Sequence, residues 1–288
     1  MKKILLAGGA GYIGTELCKR LLKLDYKVTV IDDLWFGNHL DPKIELIKKD
    51  LFQVSHTELK GYDTVIFLAG VSNDPMAEFS PSENFIQNAA CPAYLSYESK
   101  RAGVKRFIYA SSSSVYGVKV EEKVTEELNL EPLTDYSRFK ANCEEIILAA
   151  HTSDFRCTVL RPATVCGVST RQRFDLSVNI LTNHAVNLKK ITVFGGSQFR
   201  PNLHIQDMAR AYLHVLAQDK KIDGAIFNVG GENLSLDQIA LKVQKQIDLK
   251  LEIHHSDTDD LRSYRVDSSM ILDELGFKPI YSVDQEIA

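Results

Sequence analysis

At 288 residues, 44% hydrophobic and 25% charged, the chain has the composition of a folded protein and not of a disordered or fibrous one. Its net charge of -4 offers no basic field to a nucleic-acid backbone, which removes nucleic acid from the expected partners. No window approaches the roughly 20 apolar residues of a membrane span, and five scattered cysteines without a Cys-x-x-Cys spacing argue against both a disulfide framework and a zinc site, so a reducing, cytoplasmic setting is expected.

The amino terminus, Met1-Lys2-Lys3-Ile4-Leu5-Leu6-Ala7, begins like a signal peptide, but its apolar run stops at Gly8 with no cleavage site, so it reads as a first strand. Short β-branched runs at 27–31, 64–69, 106–111 and 157–161 are continuous enough to be strands buried on both faces. Amphipathic stretches at 15–23, 84–102 and 137–151 separate them as helices. Strand and helix alternating in this way specify a parallel sheet covered on both sides, the doubly wound Rossmann α/β class. Beyond Arg161 the pattern loosens through Gly167, Gly195-Gly196 and Pro201, although 225–229 reads as a further sheet strand, 235–247 as a helix and 283–287 as the start of another. The adjacent pair His254 and His255 points opposite ways on a strand, which leaves no metal-ligand spacing and no metal expected.

Between the first strand and the first helix lies Gly8-Gly9-Ala10-Gly11-Tyr12-Ile13-Gly14. Glycines there let the backbone turn tightly and approach a diphosphate, while the helix that follows presents unpaired N–H groups and the positive end of its dipole. The second strand, Val28-Thr29-Val30-Ile31, ends in Asp32 and Asp33. A carboxylate at that point accepts from the adenosine ribose hydroxyls and repels the extra phosphate of NADP, so NAD is the expected cofactor.

After the fourth of these strands comes Ser111-Ser112-Ser113-Ser114-Val115-Tyr116-Gly117, and later Tyr136-Ser137-Arg138-Phe139-Lys140. A tyrosine and a lysine four apart share one helix face and can reach the same ligand. A phenol with a pKa near 10 becomes a usable base near neutral pH when an ammonium beside it favours the phenolate.

In chain order, the glycine string, the acidic end of the second strand, the serine-rich strand end with Tyr116-Gly117, and Tyr136 with Lys140 resemble the extended short-chain dehydrogenase/reductases. The resemblance is to the NAD-dependent branch that acts on nucleotide-activated sugars, the epimerases and dehydratases. It extends through Asp50-Leu51, Leu68-Ala69-Gly70, Asn88, Leu160-Arg161-Pro162 and Phe227-Asn228-Val229-Gly230. It implies that Tyr136 is the base, that Lys140 holds the nicotinamide ribose and lowers the tyrosine pKa, and that Ser112 is the hydroxyl partner. NAD would then lie against Gly8, Gly11, Tyr12, Ile13, Gly14, Asp32, Asp33, Asp50, Leu51, Leu68, Ala69, Gly70, Asn88, Ser111, Tyr136, Lys140 and Pro162. The expected organisation is an NAD-binding unit over 1–165, rejoined by 203–230, with a smaller α/β substrate-binding part made of 166–202 and 231–288.

The segments 171–179, 199–205 and 262–267 are similar to the substrate-binding part of nucleotide-sugar enzymes. Arg200, Arg262 and Asn179 are the candidates for the substrate diphosphate, since guanidinium forks donate in pairs to phosphate oxygens, and Ser112 and Ser113 face the sugar. In related dehydratases and decarboxylases an acidic side chain follows the catalytic hydroxyl residue; here Ser113 and Ser114 stand there, so elimination of water lacks its general acid and a 4,6-dehydratase is disfavoured. An epimerase acting through oxidation at a sugar carbon, C4 by resemblance, is the leading reading. A nucleotide-sugar 4-dehydrogenase or 4-ketoreductase and a non-catalytic NAD-binding regulator or scaffold remain as alternatives. Thr164-Val165-Cys166-Gly167 departs from the family's frequent Asn-Val-Tyr-Gly, which marks the sugar-facing wall as unusual. Apolar residues around the helices 84–102 (Tyr94, Leu95, Tyr97) and 137–151 (Phe139, Ile146, Ile147, Leu148) point to faces beyond those the sheet needs, and the resemblance, whose members commonly pair these helices, implies a homodimer.

Overall fold

A computed structural model describes residues 2–288 apart from 73, 219–221, 223 and 261. The strands, in chain order, are β1 (Lys3–Ala7), β2 (Lys27–Asp32), β3 (Glu45–Lys48), β4 (Thr64–Phe67), β5 (Arg106–Ala110), β6 (Arg156–Pro162), β7 (Thr164–Cys166), β8 (Ile191–Phe194), β9 (Phe199–His204), β10 (Ile226–Val229), β11 (Glu232–Ser235) and β12 (Ile253–Ser256). Among the described residues, seven of them form one sheet in the order β10-β6-β5-β4-β1-β2-β3, and every pairing in it is parallel. This is the doubly wound arrangement expected from the alternating pattern.

Period-two alternation sends neighbouring side chains to opposite faces of this sheet. Ile4, Leu6, Val28 and Val30 pack with Leu17 and Leu21 of the helix Tyr12–Lys23 and Tyr212 of the helix Ile205–Ala217. Leu5, Ala7, Val65, Phe67, Phe107 and Tyr109 pack on the other side, with Leu95 of the helix Cys91–Ala102 and Ile147 of the helix Asp135–Ala149. Strands apolar on both faces are what a sheet buried between two helical layers requires.

Two local expectations are corrected and one strand is added. The strand β3 escapes a hydrophobic-run search because it is an edge strand, Glu45-Leu46-Ile47-Lys48, with none of its residues fully buried. The helix expected from residue 84 begins earlier, at Pro81–Phe85, and runs through a π turn, Ile86–Ala90, before continuing as Cys91–Ala102. The helix expected from residue 137 starts at Asp135, because Thr134 caps it by a reciprocal pair of hydrogen bonds with Ser137. That earlier start places Tyr136 inside the first turn.

The strand order reverses beside β1: the chain moves outward to β2 and β3, then crosses back to β4 on the other side. Ligands of such sheets bind beyond the carboxyl ends of the strands at that reversal. Over the same end sit two small sheets, β11-β9-β7 and β12-β8. Their core, Val178, Leu181, Ile191, Val193, Ile239 and Val243, also takes in Val283 and Ile287 of the short helix Val283–Ile287. After β9 the chain returns to the large sheet, where β10 lies parallel to β6.

Candidate active site

At Gly8 φ is +77° and a Cβ would stand 2.4 Å from the Ala69 backbone nitrogen, so the turn after β1 can only approach the end of β4 this closely as glycine. A Cβ on Gly14 would meet the Gly9 carbonyl oxygen at 2.4 Å, which fixes how tightly the first helix turn sits on the loop. The helix Tyr12–Lys23 begins after Gly11 with no side chain capping it, so its first N–H groups and dipole end face the cleft. Asp32, at the end of β2, accepts from the Ala10 N–H at 3.0 Å and the Leu34 N–H at 2.8 Å. Burial, then the charges of Asp50 and Asp32, raise the pKa of the neighbouring Asp33 carboxyl.

Gly8, Gly11, Tyr12, Ile13, Gly14, Asp32, Asp33, Leu51, Leu68, Ala69 and Gly70 line one continuous cleft. A glycine cradle, an uncapped helix start and a carboxylate at the strand end suit the diphosphate and adenosine ribose of a dinucleotide. Asp50 is not among the lining residues; its carboxylate accepts from the Phe52 N–H at 2.9 Å and caps the 3-10 turn Leu51–Gln53. Among the described residues no group of three metal-ligating side chains occurs, and no helix is long and apolar enough to cross a membrane.

A second cleft continues from the first past Tyr12, Ile13, Leu68, Ala69 and Gly70. It holds Asn88, Ser111, Ser112, Ser113, Tyr136, Lys140 and Pro162 from four different elements. Lys140 is 5% exposed, donates to the Ala110 carbonyl at 3.0 Å, and has its ammonium 5.0 Å from the Tyr109 ring centre and 6.0 Å from that of Tyr136. Burial pulls its pKa down to about 8, with Cys143 and Glu144 opposing the shift. Tyr136 is half-buried. Asn88 sits on the π turn, donates to the Val71 carbonyl at 2.9 Å and to Asn84 at 2.8 Å, and keeps its buried Oδ1 without a partner beside Gly70. A π turn with an unsatisfied buried acceptor is a frequent mark of a ligand site.

The serines divide their work. Ser111 donates its hydroxyl to Glu144, which is itself held by Arg161. Ser112 accepts from the Ser114 N–H at 3.2 Å and lies 2.9 Å from the Ser114 hydroxyl, while Ser113 is 3.3 Å from the Tyr264 hydroxyl.

At the far end of this cleft Arg200 and Arg262, 62 residues apart in sequence, converge on Asp260. Burial would raise the Asp260 carboxyl, but hydrogen bonds from Arg262 and the charges of Arg200 and Arg262 hold it down at about 2. Asn179 departs from the expected role and is absent from the cleft lining. Its side chain accepts from the Gly167 N–H at 3.0 Å and donates to Tyr12 at 3.2 Å and to the Arg173 carbonyl at 2.8 Å, so it ties a loop and does not face the substrate space. Two residues earlier, at the start of the helix Ser177–Asn187, Ser177 lines the cleft with a buried hydroxyl that has no partner. Helix phase, which turns residues two apart away from each other, separates the two fates.

The model of the NAD dependent epimerase/dehydratase family matches residues 4–230. The chain belongs to that family. The chain is 29% identical to a UDP-glucose 4-epimerase of Lactobacillus helveticus, over 99% of this chain and 95% of that protein. It is 30% identical to an uncharacterized UDP-glucose epimerase of Bacillus subtilis, over 88% of this chain and 85% of that one. Among solved structures it superposes on the UDP-glucuronic acid 4-epimerase of Bacillus cereus in complex with UDP-glucuronic acid and NAD, with TM-score 0.88 and 27% identity over 99% of this chain and 96% of that one. Membership identifies the cofactor as NAD, in agreement with the carboxylate at Asp32.

Proposed function

We propose that this protein is a nucleotide-sugar 4-epimerase that uses NAD as a bound cofactor. The observation that carries the reading is the second cleft itself: Tyr136 and Lys140, a row of uncharged serines, and a paired-arginine end suited to a diphosphate all line one space. Relatives named as UDP-glucose epimerases favour uridine as the nucleotide. NAD, when bound, supplies the two-electron store that accepts hydride from a sugar carbon and returns it. Tyr136 takes the proton of the C4 hydroxyl, and Lys140 beside it favours the phenolate. Ser112 orients the reacting oxygen, while Arg200 and Arg262 hold the diphosphate so that the sugar can turn over within the cleft. Ser113 and Ser114 provide no carboxyl for elimination, which separates this chemistry from that of a dehydratase.

The alternatives have less support. A net dehydrogenase or ketoreductase has no counterpart among the relatives named above, and a scaffold would not need Tyr136 and Lys140 in one cleft. The reading also assigns 1–165 with 203–230 to NAD and 166–202 with 231–288 to the sugar nucleotide, in a cytoplasmic homodimer. Of the apolar residues expected at the dimer face, Leu95 and Ile147 are buried and Tyr94 is tied to the Val54 carbonyl, whereas Tyr97 and Ile146 are 60% and 51% exposed and line one shallow groove. This reading puts the dimer contact there, and a monomer mass by sedimentation would refute it.

The decisive experiment supplies UDP-glucose, UDP-galactose and UDP-glucuronic acid with GDP-, dTDP- and CDP-sugars as comparisons, and follows product stereochemistry and NADH absorbance. Interconversion at C4 without net NADH is expected. Accumulating NADH, or a Tyr136→Phe protein as fast as the wild type where a loss of roughly 10²-fold or more is expected, overturns the reading.

A further inference from the structure

The cofactor cleft is poor in positive charge. Its lining includes the carboxylates Asp32 and Asp33, and the glycine loop offers only backbone N–H groups; among the described lining residues the cations are Arg171 and Arg173. Neither comes from the sheet that builds the cradle. Both belong to the segment that follows β7, and Arg173 borders the substrate cleft as well.

That segment is strapped across the cleft. On one side the Tyr12 hydroxyl donates to the Gly167 carbonyl at 2.7 Å, and the Ser169 hydroxyl donates to the Tyr12 carbonyl at 2.9 Å. On the other, the Arg171 guanidinium lies 3.7 Å from the centre of the Phe36 ring and the Thr170 hydroxyl donates to the His39 carbonyl at 3.3 Å, both in the loop after β2. Arg173 reaches past the end of β4, donating to the Ser72 carbonyl at 3.2 Å, and pairs with Asp175 at 2.6 Å. Two guanidiniums thus line the dinucleotide cleft on a segment tied to both of its walls. Burial and then the charge of Arg173 lower the Arg171 pKa, while Asp175 and Asp32 oppose the shift.

We infer that Arg171 and Arg173 form a clamp on the diphosphate of the dinucleotide and slow its release from the cleft. The inference rests on the NAD assignment and is independent of which sugar is bound.

Trp35, the single tryptophan of the chain, lines the same cleft and serves as an internal reporter. Protein loaded with NADH is mixed with excess NAD, and loss of energy transfer from Trp35 to NADH gives the dissociation rate. Arg171→Ala and Arg173→Ala are each expected to raise that rate by about tenfold, the double variant by more, with lysine at either position intermediate. Raising the salt should speed release from the wild type more than from the double variant. Equilibrium quenching by ADP-ribose and by adenosine separates a clamp from a structural prop: the clamp loses ADP-ribose affinity and keeps adenosine affinity. A folded double variant that releases NADH within twofold of the wild-type rate, or that loses adenosine and ADP-ribose equally, overturns the inference. Neither measurement uses a sugar, so failure here leaves the epimerase assay to be judged separately.

Discussion

Replacing Lys140 with methionine should make the protein more stable and far less active, with the stability gain confined to a window of pH. The Lys140 ammonium is buried, and its pKa falls from the model-peptide 10.5 to about 8 because burial disfavours the charged form. That displacement corresponds to about 3 kcal/mol of cost for holding the charge at neutral pH. Methionine removes the cost with a similar stem, but forfeits the hydrogen bond to the Ala110 carbonyl, worth about 1 kcal/mol. The net expectation at pH 7 is a gain of about 2 kcal/mol. Because the folded pKa lies below the unfolded one, the unfolded chain binds more protons between pH 8 and 10.5. Wild-type stability contributed by this group therefore rises with pH across that interval, and the advantage of Lys140→Met shrinks over it. Urea unfolding of both proteins from pH 6.5 to 10 measures the difference, and turnover at pH 7 should fall by roughly 10²-fold or more. A variant less stable than wild type at pH 7, or a stability difference flat across pH, refutes the reasoning.

Asp32→Ala removes a carboxylate that also anchors the Ala10 and Leu34 N–H groups, so NAD affinity should drop about tenfold and the preference over NADP should narrow, as read by Trp35 quenching with each dinucleotide. Asp260→Asn loosens the pair Arg200 and Arg262, and should raise KM for the sugar nucleotide about fivefold with kcat nearly unchanged. Glu286 is half-buried with both carboxyl oxygens enclosed, and burial, opposed by the Cys166 thiol beside it, pushes its pKa up to about 8. The folded state then holds a proton that the unfolded state releases, so stability falls as pH rises from about 4.5 to about 8. Glu286→Gln should remove that slope, and denaturation midpoints at pH 5 and pH 8 test it.

The parts of this site that local chemistry dictates were legible in the sequence. A glycine that must have positive φ, an acidic residue ending a buried strand, and a tyrosine and lysine one helical turn apart each carry their reason within a few residues, and Gly8, Asp32, Tyr136 and Lys140 all line the clefts. Features set by tertiary contact were not. Arg200 and Arg262 could be suspected from their type, but the carboxylate that aligns them, Asp260, is identified only when the segments meet. Asn179 and Ser177 exchange roles because the turn of one helix decides which faces the cleft. Arg171 and Arg173 sat in a segment assigned as a whole to substrate, yet the strap lays both on the cofactor cleft. Of the seven apolar residues counted toward a homodimer, Leu95, Ile147 and Leu148 pack into the subunit's own core, so the count alone does not mark an outer face.

A buried network stands behind the helix Asp135–Ala149 and fixes how that helix presents Tyr136 and Lys140 to the cleft. Glu144 lies on the helix that carries Tyr136 and Lys140, and it accepts from Arg161 of β6 and from Ser111 at the end of β5. Arg161 in turn donates to the Tyr116 hydroxyl at 2.7 Å, which donates to Asn228 of β10 at 2.8 Å. The Arg161 and Glu144 side chains are 4% and 3% exposed, so their charges gain little over an apolar pair of the same size, while loss of one partner costs about 3–5 kcal/mol. Such a pair contributes direction more than net stability: it holds one helix against three adjacent strands of the sheet. Tyr136 and Lys140 are thereby aimed from a frame whose geometry is set beneath the cleft, which leaves the cleft surface to the ligands.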